Sequence, residues 1–209
     1  MKIYLLGTGG HSRACAEIAI NCGYREVEFV NVSKDIEVLY YLSEISRKTS
    51  SPFTPVCLAI GTNFIREALF QLVRHVPNLQ FPNLIDPSSY IAASSRLSGG
   101  VVVMPKVVVR CNVKVGFGSI LNTASIVEHD CSIGTFASLA PGAVLAGQVS
   151  VGDRVSIGIN ASVKHRICVG DDALVGGASY VDKDVANSSV TYGIPARHIR
   201  VRMRTDPYL

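Results

Sequence analysis

The sequence has little charge: Asp, Glu, Lys and Arg together make up 17% of its 209 residues, whereas hydrophobic residues make up 48%. This balance is typical of a compact globular protein and argues against a disordered one. The longest apolar runs, such as VVVMPKVVV, are interrupted well short of the roughly 20 residues of a membrane helix, so no membrane insertion is expected. The N-terminus lacks the basic region, long apolar core and cleavage site of a secretory signal, which favours a cytoplasmic location.

Closely spaced cysteines are also missing. The six cysteines contain no C-x-x-C pair, which favours reduced thiols used as small apolar residues over a disulfide framework or a metal site. The net charge of +4 is modest, and the one dense basic stretch is RHIRVRMR, residues 197–204. That is too little for a nucleic-acid surface, although it could contact one phosphate group.

The first part of the chain has the pattern of a small doubly wound, Rossmann-like α/β domain, predicted over residues 1–83. The apolar run KIYLL leads into GTGGHSR and then into the helical spacing of ACAEIAINCGY. The runs EVEFVNV and PVCLAIG read as further strands, and the second of them precedes the helical pattern NFIREALFQLVRHV. Strands that alternate with helices in this way predict a parallel sheet.

The glycine loop GTGGHSR can hold an anion, because glycines let the backbone approach a ligand and the amides of a helix start can receive a phosphate. A dinucleotide fingerprint would need glycine at Ser12 and an acidic residue at Asn31, so NAD binding is disfavoured. His11 and Arg13 could contact a diphosphate, but a solvated first helical turn explains both residues equally well.

The second part of the chain repeats every six residues. From Ile91 to Val181, all sixteen positions at this spacing are aliphatic. A period of six fits neither a helix nor a simple strand pair and is typical of hexapeptide β-helix repeats. We therefore predict an all-β parallel β-helix over residues 84–186, with repeats from 91 to 186, about five turns of 18 residues, and a C-terminal tail over 187–209. Known coils of this repeat class are left-handed.

Function must lie in residues that leave the repeat, since the coil itself supplies no chemistry. His129, in IVEHDCSIG, is such a residue and stands between Glu128 and Asp130. Its neighbours in the same column, at a spacing of 18, are Cys111, Gly147 and, two turns on, His165. Two turns separate the two histidines by roughly 10 Å, so they cannot share a zinc ion and a zinc carbonic anhydrase is disfavoured. An activated Cys111 thiolate is the alternative nucleophile, but a small edge thiol is favoured.

These motifs together resemble a known family. In order, GTGGHSR, AIGTNFIR, the hexapeptide coil, VEHDCSIG, APGAVLAG, VGGASYVDKDV and YGIPAR look like the bacterial sugar acetyltransferases. That family includes UDP-4-amino-sugar N-acetyltransferases and sialic acid O-acetyltransferases, and the match covers nearly the whole chain. The resemblance implies a homotrimer, acetyl-CoA in the groove between neighbouring coils, and a nucleotide sugar held by the N-terminal domain.

The resemblance also implies roles for individual residues. His129 would be the catalytic base and Asp130 would orient its imidazole, with Glu128 as the runner-up; without the resemblance, the three read as a surface ion cluster. The residues implied for acetyl-CoA are Ser138, Gly158, Ile159, Gly176, Gly177, Ile194, Pro195, Ala196 and Arg197. The basic stretch after them would meet the CoA 3′-phosphate or remain a solvated terminus. The residues implied for the acceptor are Gly9, Gly10, His11, Ser12, Arg13, Asn31, Gly61, Thr62, Asn63 and Arg66.

Two positions depart from the family's pattern. Many members carry a second histidine where this chain has Ser138, and relatives that bind UDP tend to place acidic residues where it has Asn31. The expected function is transfer of acetyl to the amine of a nucleotide-linked amino sugar for surface glycans, with the nucleotide left open. Acetylation of a sugar hydroxyl, as in sialic acid, is the alternative within the class. A non-catalytic trimer that binds a nucleotide sugar is the alternative from another class.

Overall fold

The computed structural model describes residues 1–48 and 52–206. Its N-terminal part is a four-stranded parallel sheet with strand order β2-β1-β3-β4. The strands are β1 (Lys2–Leu6), β2 (Glu26–Val30), β3 (Thr54–Cys57) and β4 (Leu79–Gln80). The helices are α1 (Gly10–Asn21), α2 (Asp35–Lys48) and α3 (Asn63–Val73). The predicted α/β domain is confirmed, with α2 and β4 as elements that the sequence patterns did not predict.

The glycine loop lies at the carboxyl end of the central strand β1, where it meets the residues that follow β3. Gly7 has φ +138°, and a Cβ atom there would lie 2.6 Å from the Ala59 carbonyl oxygen. Glycine is therefore needed both for the backbone angle and for the close approach of the two segments. This approach brings the start of α1 next to the start of α3.

Residues 84 onward form a parallel β-helix whose strands are two residues long and stack in three walls. The first wall contains β5 (Leu84–Ile85), β8 (Val102–Val103), β11 (Ile120–Leu121), β14 (Ser138–Leu139), β17 (Ser156–Ile157) and β20 (Leu174–Val175). The second contains β6 (Tyr90–Ile91), β9 (Val108–Val109), β12 (Ile126–Val127), β15 (Val144–Leu145), β18 (Ser162–Val163) and β21 (Tyr180–Val181). The third contains β7 (Arg96–Leu97), β10 (Lys114–Val115), β13 (Ser132–Ile133), β16 (Ser150–Val151) and β19 (Cys168–Val169).

Each strand pairs in parallel with the strand 18 residues later, as Leu121 does with Leu139. The aliphatic residues of the six-residue period fill the interior, and Leu121, Leu139, Leu145 and Ile157 are fully buried. The coil has 17 strands, close to six turns, where the sequence predicted 16 repeats, because β5 adds one strand before the first predicted repeat.

The C-terminal part extends the first wall. β22 (Ser189–Gly193) pairs in parallel with β20 and antiparallel with β23 (Ala196–Val201). The segment predicted as a tail, 187–209, thus contains a β-hairpin, while its last three residues, 207–209, lie outside the described residues. Within the described ranges, no helix is long and apolar enough to cross a membrane.

Candidate active site

His129 lies in a corner of the coil, between the end of β12 and the start of β13, with 52% of its side chain exposed. Asp130, the next residue, has φ +60°. This left-handed conformation turns the chain so that an Asp130 carboxylate oxygen (Oδ2) lies 2.8 Å from His129 Nδ1. Adjacent residues of a flat strand point to opposite sides, so the corner is what allows this contact.

Glu128 points elsewhere. Its carboxylate forms an ion pair with Arg110, at 3.8 Å from Arg110 Nε. Arg110 lies one turn earlier in the same column, so Glu128 is occupied along the outside of the coil. Of the two candidates for orienting the imidazole, the geometry favours Asp130.

The Asp130 carboxylate is held in its ionised form. Hydrogen bonds from His129 and from Asn112 Nδ2, the latter at 3.1 Å, lower the pKa of Asp130 below its ordinary value. An ionised carboxylate only accepts hydrogen bonds, so it selects the imidazole tautomer with a proton on Nδ1. In the neutral imidazole, this tautomer leaves Nε2 without a proton and able to accept one.

The imidazole rests on Gly147, its column neighbour in the next turn. A Cβ atom at Gly147 would lie 2.5 Å from His129 Nε2 and 2.6 Å from Cε1. A side chain of any size there would displace the ring, so glycine provides the space in which the imidazole lies. In the part of the chain that the structure describes, no group of three His, Cys, Asp or Glu residues could hold a metal ion.

A pocket of about 340 Å³ opens between the N-terminal domain and the first wall of the coil. His11, Gly61 and Thr62, all predicted for the acceptor, line one side of it. Ser138 and Ile159, both predicted for acetyl-CoA, line the other. The structure thus brings together residues from the two predicted binding sets.

Two of the residues predicted for the acceptor do not line this pocket but join the two domains, with Ser138 as their partner in the coil. Arg66 is 1% exposed, and burial lowers its pKa to about 9. Its guanidinium donates to the carbonyl oxygens of Gly118 at 2.7 Å and Phe136 at 2.8 Å, both in the coil. Asn63 accepts a 2.6 Å hydrogen bond from Ser138 Oγ. We call Asn63, Arg66 and Ser138 the polar joint.

Of the predicted residues in the glycine loop, some lie where a ligand could reach them and one has a structural contact instead. Gly9 and Gly10 begin α1, and no side chain caps the first turn of that helix, so its amides face the loop unblocked by a capping group. Arg13 is exposed, whereas Ser12 is fully buried and donates a 2.9 Å hydrogen bond to the Ala59 carbonyl. The Ser12 hydroxyl therefore holds α1 against the segment after β3.

Asn31 lies in a different place from the other acceptor residues. It lines a second cavity of about 460 Å³, between the end of β2 and α2. Its Oδ1 accepts a 2.9 Å hydrogen bond from the Ser33 amide and so shapes the turn that leads into α2.

The residues predicted for acetyl-CoA lie at the C-terminal end of the coil and on the hairpin. Ile159 is 53% exposed and Ile194 is 78% exposed, and Gly177 and Pro195 also lie on the surface. Glycine is required at 158 and 176 by close packing, since a Cβ atom at either position would lie 2.6 Å from an atom of the next layer, Gly177 N or Tyr192 Cβ. Ala196 is buried.

The arginines of the basic stretch 197–204 make contacts within the chain. All four donate to acceptors within the chain: Arg197 to Asp182, Arg200 to Asp206, Arg202 to the Asp172 carbonyl and Arg204 to Glu67.

The chain is similar to known proteins over nearly its whole length. Residues 2–73 match the PglD N-terminal domain family. A variant of GDP-perosamine N-acetyltransferase from Caulobacter crescentus, solved with CoA and GDP-perosamine, is 28% identical with a TM-score of 0.87, over 96% of this chain and 97% of that one. The acetyltransferase domain of PglB from Neisseria gonorrhoeae, solved with acetyl coenzyme A, is 27% identical with a TM-score of 0.86, over 95% and 98%.

The chain is similar to bacterial sugar acetyltransferases with a left-handed β-helix. These similarities confirm the predicted resemblance and the fold class, and they agree with the predicted acyltransferase activity. WeeI from Acinetobacter baumannii, 21% identical with a TM-score of 0.79 over 95% of this chain and 100% of that one, shares the fold.

Two residues near the candidate site were not predicted from the sequence. Asn122 lines the pocket beside Ser138, and Asn112 contacts Asp130. A signal for both was present in the 18-residue spacing, since Asn122 shares a column with Gly158 and Asn112 shares one with Asp130. The spacing places residues in a column, but it does not say which side chains of that column touch.

Proposed function

We propose that this acetyltransferase uses acetyl-CoA to acetylate the amine of a nucleotide-linked amino sugar, for surface glycans, with His129 as general base. The observation that carries the proposal is the exposed His129 imidazole, whose Nδ1 faces the Asp130 carboxylate at 2.8 Å and whose Nε2 is left to accept a proton. The similarity to a GDP-perosamine N-acetyltransferase supports the choice of acceptor class.

In the proposed reaction, acetyl-CoA supplies the activated thioester carbonyl. His129 Nε2 takes a proton from the acceptor amine while the amine nitrogen forms a bond to the thioester carbonyl carbon. The negative charge of the Asp130 carboxylate stabilises the imidazolium that forms. The imidazolium then protonates the leaving CoA sulfur, which gives CoA and an N-acetyl sugar and restores neutral His129.

The pocket between the domains supports the binding part of the proposal. His11 and Thr62 offer polar groups at its rim, and the free amides of the first turn of α1 suit a phosphate oxygen. The exposed surface of Ile159 and Ile194 suits the pantetheine arm and the adenine. The proposal includes a domain division at 1–83, 84–186 and 187–209, and a cytoplasmic homotrimer whose neighbouring coil completes the groove.

The experiment is CoA release from acetyl-CoA against UDP-, GDP- and dTDP-linked 4-amino sugars and sialic acids. We expect one nucleotide amino sugar to turn over and His129→Ala to lower kcat by about 10² or more, with unchanged acetyl-CoA affinity. His165→Ala is the matched control, because His165 is exposed in the same column two turns later. Turnover of a sialic acid would show that the accepting group is a sugar hydroxyl and not an amine. Acetyl-CoA binding without turnover of any acceptor would favour a non-catalytic binding module.

A further inference from the structure

The corner that holds His129 is repeated along the coil. Asn112, Asp130, Gln148 and Arg166 occupy equivalent places one turn apart, with φ between 60° and 64°. Asparagine and aspartate are the non-glycine residues that most readily adopt this left-handed conformation. Asn112 and Asp130 are residues of this kind, and their short side chains lie next to each other on one edge of the coil.

We propose that Asn112 is a positioning residue for His129 and acts through Asp130. Asn112 Nδ2 donates a 3.1 Å hydrogen bond to Asp130 Oδ1, and the other carboxylate oxygen, Oδ2, faces His129 Nδ1 at 2.8 Å. One carboxylate is thus held at both oxygens, by a residue of the preceding turn and by the imidazole. The inference rests on the proposed role of His129 as base.

A second contact is needed because the pair of His129 and Asp130 is exposed. Their side chains are 52% and 44% exposed, and exposed ion pairs hold a geometry weakly. Asn112 is itself anchored, since its backbone amide donates a 3.1 Å hydrogen bond to Ser94 Oγ in the turn before. The carboxylate is therefore fixed from a backbone position and not by the imidazole alone.

The chemical type of Asn112 fits this task. Its amide group is neutral, so it donates to the carboxylate without competing with an imidazolium for the negative charge. A carboxylate at the same place would repel Asp130 across about 3 Å. Gln148, the equivalent residue one turn after Asp130, makes its contact in the other direction along the coil: its Oε1 accepts a 2.7 Å hydrogen bond from Arg166 Nε.

The test compares Asn112→Gly and Asn112→Asp, with Gln148→Gly as the control at the equivalent place. Glycine accepts the left-handed angle, so Asn112→Gly removes the hydrogen bond without backbone strain. We expect kcat to fall about fivefold, the usual effect of one hydrogen bond, with both KM values unchanged. We expect Asn112→Asp to lower kcat further, and Gln148→Gly to match the unmodified enzyme.

Two NMR measurements report on the proposed mechanism without activity. In Asn112→Gly, the pKa of Asp130 should rise in a carbon-13 titration, and nitrogen-15 shifts should show a smaller fraction of the Nδ1-protonated His129 tautomer. An unchanged tautomer and an unchanged kcat would overturn the role of Asn112, even with His129→Ala inactive. A changed tautomer beside a fully active His129→Ala enzyme would support the positioning contact and overturn His129 as base.

Discussion

The His129 corner and the polar joint both consist of polar residues that leave the hydrophobic pattern, yet the structure uses them in opposite ways. At the corner, neighbouring residues meet on the surface and leave His129 Nε2 available. At the joint, Asn63 and Arg66 of α3 meet Ser138 of the coil, far along the chain, and all three are buried with their polar atoms paired. Exposure therefore separates a polar residue that can act on a ligand from one that connects two domains.

The largest expected effect is on stability at the joint. Arg66→Met removes the donor of several buried hydrogen bonds and leaves carbonyl oxygens such as that of Gly118 without a partner. Each unpaired buried acceptor costs about 1–3 kcal/mol, so we expect the free energy of unfolding to fall by at least about 3 kcal/mol in urea denaturation. His129→Ala should change it by less than about 0.5 kcal/mol. Equal stabilities of the two variants would remove the contrast between the regions.

The next effect is on activity at the corner. Asp130→Asn keeps the left-handed backbone but replaces the charge at His129 Nδ1, and we expect kcat to fall about 30-fold. Glu128→Gln, whose carboxylate faces Arg110, should stay within about twofold. Steady-state kinetics with saturating acetyl-CoA measures both. A larger loss for Glu128→Gln would give Glu128 the orienting role.

A smaller loss is expected from Gly147→Ala. The added Cβ atom takes the space of the His129 ring, so the imidazole must move, while the backbone of the turn can stay in place. We expect kcat to fall about tenfold with little change in Tm, because a displacement of the reacting group on the order of 1 Å can cost up to a hundredfold. A normal kcat would show that the ring position tolerates this shift.

The smallest effect is the acid sensitivity that Asp172 confers; its partner Arg154 accepts a hydrogen bond from Asn63 of the polar joint at its carbonyl oxygen. Burial would raise the pKa of Asp172, but the hydrogen bond from Arg154 and the charges of Arg154 and Arg204 hold it below its ordinary value. Stability from a lowered pKa is present above the ordinary value and is lost as pH falls through the folded value.

Thermal unfolding between about pH 5 and about pH 3 tests this linkage. Unmodified enzyme should lose more Tm over that interval than Asp172→Asn, which has no charge to lose. Parallel curves for the two proteins would show that Asp172 does not contribute to acid sensitivity.

The period of six predicted the coil, its walls and the column in which His129 lies, because the column of a residue follows from its distance along the chain in steps of 18. It did not include the first strand, β5, among the repeats, although the predicted domain boundary at 84 is where that strand begins. Leu79 also fits the six-residue spacing, yet it lies in β4 of the N-terminal sheet, whereas Ile85 lies in the first turn. Aliphatic residues suit both interiors, so composition alone does not separate the two.

The polar joint was beyond prediction for a different reason. Asn63 and Arg66 follow a strand at the start of α3, which is where ligand-binding residues of an α/β domain are commonly found. Whether such residues face a ligand or another domain depends on what packs against α3. Here Arg66 meets Gly118 and Phe136 of the coil, a tertiary contact that no local pattern contains.

The polar joint also bears on how the enzyme moves. Domains that close around a substrate need a hinge and a weak interface. Here buried hydrogen bonds from Arg66 and Asn63 attach α3 to the coil, and Thr62 lies directly before that helix. We therefore expect the gap between Thr62 and Ile159 to keep its width through the catalytic cycle, so that the acceptor must fit a preset opening and domain closure does not limit turnover.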